Sequence, residues 1–165
     1  MDIRQVEQYV VERLGKELPE AFVYHSLRHT QDVVIAAVEF GLAEGVGAEE
    51  RDWLQAAAWF HDLGYVAGCS LDHELRSAEI AAAKLKSWGW GYTAVHRVGE
   101  MILATQLPYQ PQNLLESIIC DADIEYLGRP EMFPAALRLR AELAALGRGF
   151  DELEWLRSEE HTSEL

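Results

Sequence analysis

The chain has 165 residues, of which 49% are hydrophobic and 25% charged, ordinary globular usage that excludes a disordered, collagen-like or low-complexity protein. Fourteen Lys and Arg against 28 Asp and Glu give a net charge of -14, and the cations are scattered singly, so a nucleic acid duplex is a poor partner. The same field repels a small anionic substrate unless a metal ion or a few arginines reverse it locally.

The periodicity is helical along the whole chain. Ile3, Val6, Val10 and Leu14 recur at three and four, predicting an amphipathic helix that Gly15 and Pro19 bring to an end. A second helix is expected over 26–44, with Val33, Val34, Ala37, Val38 and Leu42 inward, and a third over 48–62, opened by Glu49, Glu50 and Asp52 near its positive end. Gly64 and Gly68 then break the chain. A fourth helix is expected over 72–88 with Asp72 as N-cap, and a fifth over 93–106. Pro108 and Pro111 enforce a loop, and two more helices follow over 113–127 and 130–146. No stretch alternates apolar and polar residues as a strand does, so the expected fold is all-α, a compact bundle of about seven helices.

Residues 157–165 match the translation of a common sequencing-adapter oligonucleotide and are set apart from the fold. The expectation is a single domain over 1–156, cut short at its C-terminus. No apolar run reaches the length of about 18 residues that spans a membrane, and the charged opening Met1-Asp2-Ile3-Arg4 is unlike a signal peptide. Cys69 and Cys120 lack paired spacing, so no disulfide and a reducing cytoplasm are expected.

Several ionisable residues fall where an apolar face should be. The run Ala56-Ala57-Ala58-Trp59-Phe60 ends in His61-Asp62, and helical spacing aligns His61 with Leu54, Ala57 and Ala58. Asp121 shares a face with Leu114 and Ile118, whereas Asp123 sits about 200° further round. His29 leads into Val33 and Val34. An unpaired buried carboxylate costs several kcal/mol and calls for a cation, donors or water. Each has a plainer reading alone: a satisfied core histidine, a solvated helix end, a cap. Jointly, two imidazoles and two carboxylates on inner helix faces suit a divalent-metal site of the kind helical bundles build.

The segments Tyr24-His25-Ser26-Leu27-Arg28-His29-Thr30, Ala58-Trp59-Phe60-His61-Asp62-Leu63-Gly64-Tyr65 and Cys120-Asp121-Ala122-Asp123 resemble the HD superfamily of metal-dependent phosphohydrolases. Supporting the resemblance are His73-Glu74-Leu75-Arg76-Ser77-Ala78 and Met101-Ile102-Leu103-Ala104-Thr105-Gln106. It implies an all-α bundle with His29, His61, Asp62 and Asp121 as metal ligands, as in the small single-domain members.

Two nitrogens and two oxygens with no thiolate suit one divalent ion, Mn, Fe, Co, Ni or Zn, and Mg less well. The expected activity is hydrolysis of a phosphoester of a nucleotide or similar small metabolite by metal-activated water. Asp62 or Glu74 would take the water's proton. His73 would contact phosphate, and Arg28, Arg76 or Arg129 would clamp it. His25 is expected to be a residue of the helix start rather than a ligand. Tyr65 or Tyr109 would stack on a base. Relatives with two metals carry further histidines where this chain has Thr105 and Gln106, which favours one metal. Two alternatives remain: a non-catalytic metal- or ligand-binding module, and a two-metal phosphodiesterase or oxygenase. No membrane partner is expected, and a homodimer through an exposed apolar face is compatible with the composition.

Overall fold

A computed structural model describes residues 1–68, 71–128 and 132–148. Seven α-helices occupy them: α1 (Ile3–Glu17), α2 (Leu27–Ala43), α3 (Ala48–Phe60), α4 (His73–Ser87), α5 (Tyr92–Ala104), α6 (Leu114–Asp123) and α7 (Met132–Ala145). Short 3-10 turns over Leu63–Ala67 and Glu125–Gly128 follow α3 and α6, and no strand occurs among the described residues. No helix in them is long and apolar enough to cross a membrane. The tail 157–165, Cys69 and Arg129 lie outside them.

α3 is the axis of the bundle. Leu54, Ala56, Ala57, Ala58, Trp59 and Phe60 are all buried, which is the signature of a helix enclosed on every side. It packs against α1, α2, α4, α5 and α6. Its alanines, and Gly41 on α2, let the neighbours come close: a Cβ on Gly41 would stand 3.1 Å from a methyl of Leu54. Val6, Val10 and Leu14 close one side, and Val98, Met101 and Ile102 of α5 close another. The helix ends agree with capping chemistry in part. Asp2 accepts the Arg4 N–H at 3.0 Å. At α6, Asn113 accepts the Glu116 N–H at 3.1 Å while Glu116 receives the Asn113 amide and the Gln112 N–H, a reciprocal box that anchors the start of this helix.

Four sequence expectations change. α1 runs through Gly15 to Glu17, its last turns carrying the Lys16–Glu12 and Arg13–Glu17 pairs. Asp72 precedes α4 as expected but is left-handed (φ 54°), and its side chain makes no capping bond. α6 stops at Asp123, with the 3-10 turn continuing toward Gly128, so the helix expected over 113–127 is shorter. Leu42 is exposed rather than inward.

Candidate metal centre

Three helices deliver the centre. His29 stands in the first turn of α2, which Ser26 precedes in extended backbone. His61 and Asp62 follow the last residue of α3, where the chain turns into the 3-10 segment. Asp123 is the last residue of α6. The turn after Asp62 is held by Gly64, whose N–H donates to Ser77 Oγ at 2.8 Å. A Cβ on Gly64 would lie 2.1 Å from the His73 carbonyl oxygen, so only glycine lets this turn reach the start of α4.

The imidazole Nε2 atoms of His29 and His61 are 3.4 Å apart. Asp123 Oδ1 is 3.1 Å from His29 Nε2 and 3.4 Å from His61 Nε2. Asp62 Oδ2 is 3.4 and 3.2 Å from the same two nitrogens. That oxygen is buried, and despite those distances it has no hydrogen-bond partner in good geometry. His29, His61 and Asp123 each offer one ligand atom, all within 4.8 Å of one another. Atoms bonded at about 2.1 Å to a common ion stand about 3.0–3.4 Å apart, so these residues fit a divalent cation. His61 Nδ1 meets the Ala58 carbonyl at 2.8 Å, which leaves Nε2 for the centre.

The electrostatics agree. Of the two carboxylates here Asp62 is buried and Asp123 half-buried, and no Lys or Arg side chain is bonded to either among the described residues. Burial by itself would raise the Asp62 carboxyl, but His61 and His25 outweigh it and hold Asp62 well below the usual range. Asp123 is likewise held low against its burial by His29 and His61. Burial would lower His61, yet Asp62 and Asp123 beside it raise it well above an ordinary histidine. Tyr109, from the loop after α5, donates to Asp123 Oδ2 at 3.0 Å and so leaves Oδ1 facing the imidazoles.

The structure brings together His29, His61 and Asp62, but it replaces Asp121 by Asp123. Asp121 is exposed. The expectation rested on Leu114 as an inward residue, and Leu114 is 49% exposed. The inner face runs instead through Glu116, Ile119, Cys120 and Asp123, at i, i+3, i+4 and i+7. Cys120 is no ligand: its thiol donates to the Ala104 carbonyl and is pushed up to about 12, by burial first and then by Asp123. Thr105 spends its hydroxyl on the Ile102 carbonyl, and Gln106 is exposed.

His73 places Nε2 at 3.6 Å from Asp62 Oδ1 and Nδ1 at 3.2 Å from Glu74 Oε2. Glu74 therefore stands behind the His73 imidazole. Arg28 borders the cavity beside the centre, whereas Arg76, half-buried on α4, does not. Tyr65 stacks between His25 and His73, with centroids 4.5 and 4.0 Å away, so its faces are already covered rather than open to a base.

One residue of this neighbourhood was missed in the sequence. Glu142 on α7 is 1% exposed, and one of its oxygens accepts the N–H groups of Tyr24 and His25 at 2.8 and 3.0 Å. Its other oxygen meets His25 Nδ1. Burial would lower His25, but Asp62 and the bond to Glu142 raise it. The only sequence signal was spacing: Ala135, Arg138 and Glu142 fall at i, i+3 and i+7, one helix face.

A helical bundle that brings two histidines and Asp123 within reach of one ion, with Asp62 against both imidazoles, has the arrangement from which α-domains build metal sites. More specifically, residues 22–125 match the family model described as HD domain, more than half of the chain, and the protein belongs to this family. HD domains are generally metal-dependent hydrolases. Comparison with curated proteins and with solved structures gave no match.

Proposed function

We propose that the protein is a metal-dependent phosphohydrolase that cleaves the phosphoester of a nucleotide or a similar small metabolite. The observation that carries this reading is the grouping of His29, His61 and Asp123 within reach of one ion, with Asp62 against both imidazoles and its buried oxygen left without a hydrogen bond. These four residues would hold one ion of Mn, Fe, Co, Ni or Zn, their mixed nitrogen and oxygen set suiting Mg less well. When bound, such an ion withdraws charge from a phosphoryl group and makes water more acidic.

The remaining groups handle protons. In the reaction a water oxygen forms a bond to phosphorus, the ester P–O bond breaks, and the leaving oxygen must gain a proton while the water loses one. Asp62, with His73 against its other oxygen, receives the water's proton, and Glu74 holds His73 in orientation. His25 supplies the proton that the leaving oxygen gains. Glu142 fixes its Nδ1, so Nε2 is the nitrogen that donates.

The test is metal content per chain, by elemental analysis of protein purified without chelator or affinity-metal resin, together with phosphate release from a panel of phosphoesters. About one ion per chain and phosphate release, both lost in Asp62→Ala, are expected. Full activity in Asp62→Ala would overturn the site, and absence of metal after reconstitution would favour a non-catalytic module.

A further inference from the structure

Beside the centre lies a cavity of about 200 Å³ that shares His29 and Asp123 with it. Its far wall is built by the 3-10 turn after α6 and by α7, at Tyr126, Ala135 and Arg138. A phosphoester held at the centre would extend its leaving group into this space.

The size and the charge of the walls constrain that group. Ligand pockets commonly enclose about 300–1,000 Å³, so this one suits a leaving group of a few carbons. Arg28 and Arg138 both border it. Arg28 is 73% exposed and faces Asp32 at 3.9 Å. Asp32 and Glu125, which also line the cavity, are each engaged by other groups. Arg138 is half-buried and has no ion-pair or hydrogen-bond partner among the described residues. Arg138 thus borders the cavity with its guanidinium unclaimed by a carboxylate, and its planar fork matches a carboxylate or a phosphate.

We propose that this cavity is the leaving-group pocket, and that Arg138, assisted by Arg28, selects small phosphoesters whose leaving group carries a second anionic group. The proposal rests on the phosphohydrolase reading and narrows it to short phosphorylated acids or bisphosphates. α7 lies beyond the matched residues 22–125, so this selectivity belongs to this chain rather than to the matched domain.

The experiment compares two non-hydrolysable probes, methylphosphonate and 3-phosphonopropionate, by calorimetric titration of the full chain reconstituted with manganese. The added carboxylate should tighten binding about tenfold or more, as hydrogen bonds to charged groups do. This preference should fall toward one in Arg138→Ala, and Arg138→Gln serves if the alanine variant melts early. Equal affinities in the unmutated protein, or a preference that survives both variants, would overturn the pocket. Hydrolysis of phosphoglycolate, a phosphoester with a short acidic leaving group, is measured alongside. Its absence with the preference intact would overturn the hydrolase reading alone; its presence with no preference would overturn only the pocket. Binding of neither probe would overturn both.

Discussion

Asp123→Asn keeps the size of the side chain and an oxygen for Tyr109 while removing the charge that faces His29 at 3.1 Å and His61 at 3.4 Å. Substituting a residue that merely orients a ligand costs about 10–100-fold in metal affinity. Loss of a ligand's charge should exceed that, so the expected fall is at least about 100-fold, or about 2.8 kcal/mol at about 1.4 kcal/mol per decade. The metal-free protein also weakens, because hydrogen bonds to charged groups contribute about 1.5–3 kcal/mol and the amide recovers part of this. A net loss of about 2 kcal/mol lowers Tm by roughly 4–8 °C in a domain of this size. The exposed Asp121 is the internal control. Asp121→Asn should leave metal affinity unchanged and stability within about 0.5 kcal/mol. Competition titration against a chelating dye measures the first quantity, and thermal melts without metal the second. If Asp121→Asn lost the metal, or Asp123→Asn stayed within about threefold of the unmutated affinity, the assignment of the second carboxylate would be wrong.

Gly64→Ala places a Cβ 2.1 Å from the His73 carbonyl and should destabilise by about 3 kcal/mol or more, read by urea unfolding; a loss under about 1 kcal/mol would contradict the close approach. Tyr109→Phe removes the bond to Asp123 and should weaken metal binding about tenfold at a stability loss near 1 kcal/mol, by the same dye titration and melts. Glu142→Ala leaves two buried N–H groups and the His25 ring without their acceptor, so a loss of about 3 kcal/mol in urea is expected, with metal content kept and phosphate release slowed. For the metal-free protein, His25 and His61 are raised above 6.5, so their contribution is complete below that pH and is lost as pH climbs through their folded values. Asp62 and Asp123 are lowered below 3.8 and contribute above it. Tm without metal should therefore fall from about pH 6.5 toward 9, while added metal, which must displace protons from the imidazoles, stabilises more as pH rises. A metal-free Tm that climbs over that range would refute the charge assignment.

Helix number and order were legible because the signal is redundant. Val6, Val10 and Leu14 are buried as their spacing predicts, and the Gly and Pro breaks between helices fall where elements change. Helix ends were less legible, since local chemistry competes there with packing. Gly15 marks a break by propensity, yet two ion pairs and burial of Leu14 carry α1 past it. At α4, Asp72 is the residue type that caps, but the approach of Gly64 to the His73 carbonyl accompanies a backbone at φ 54° with no capping bond.

The candidate centre divides along the same physical line. His29, His61 and Asp62 were legible because each follows or opens a long apolar run whose inner face is unambiguous. α6 is ten residues long, and its apolar residues Leu114, Leu115, Ile118, Ile119 and Cys120 cover more than one face. With so short a helix, one exposed leucine rotates the inferred inner side from Asp123 to Asp121. Glu116 carried the missing information: buried at 7% by its bonds to Gln112 and Asn113, it lies seven residues before Asp123 and shares its face. Glu142 was harder still. An Ala-Glu-Leu-Ala-Ala helix looks like a solvated surface, and nothing local shows that its carboxylate meets the start of α2, 117 residues away. Such a residue becomes visible only when the fold supplies the donors. The contact couples α7 to the histidine that borders the centre, so the last described helix bears on the chemistry although it lies outside the matched domain.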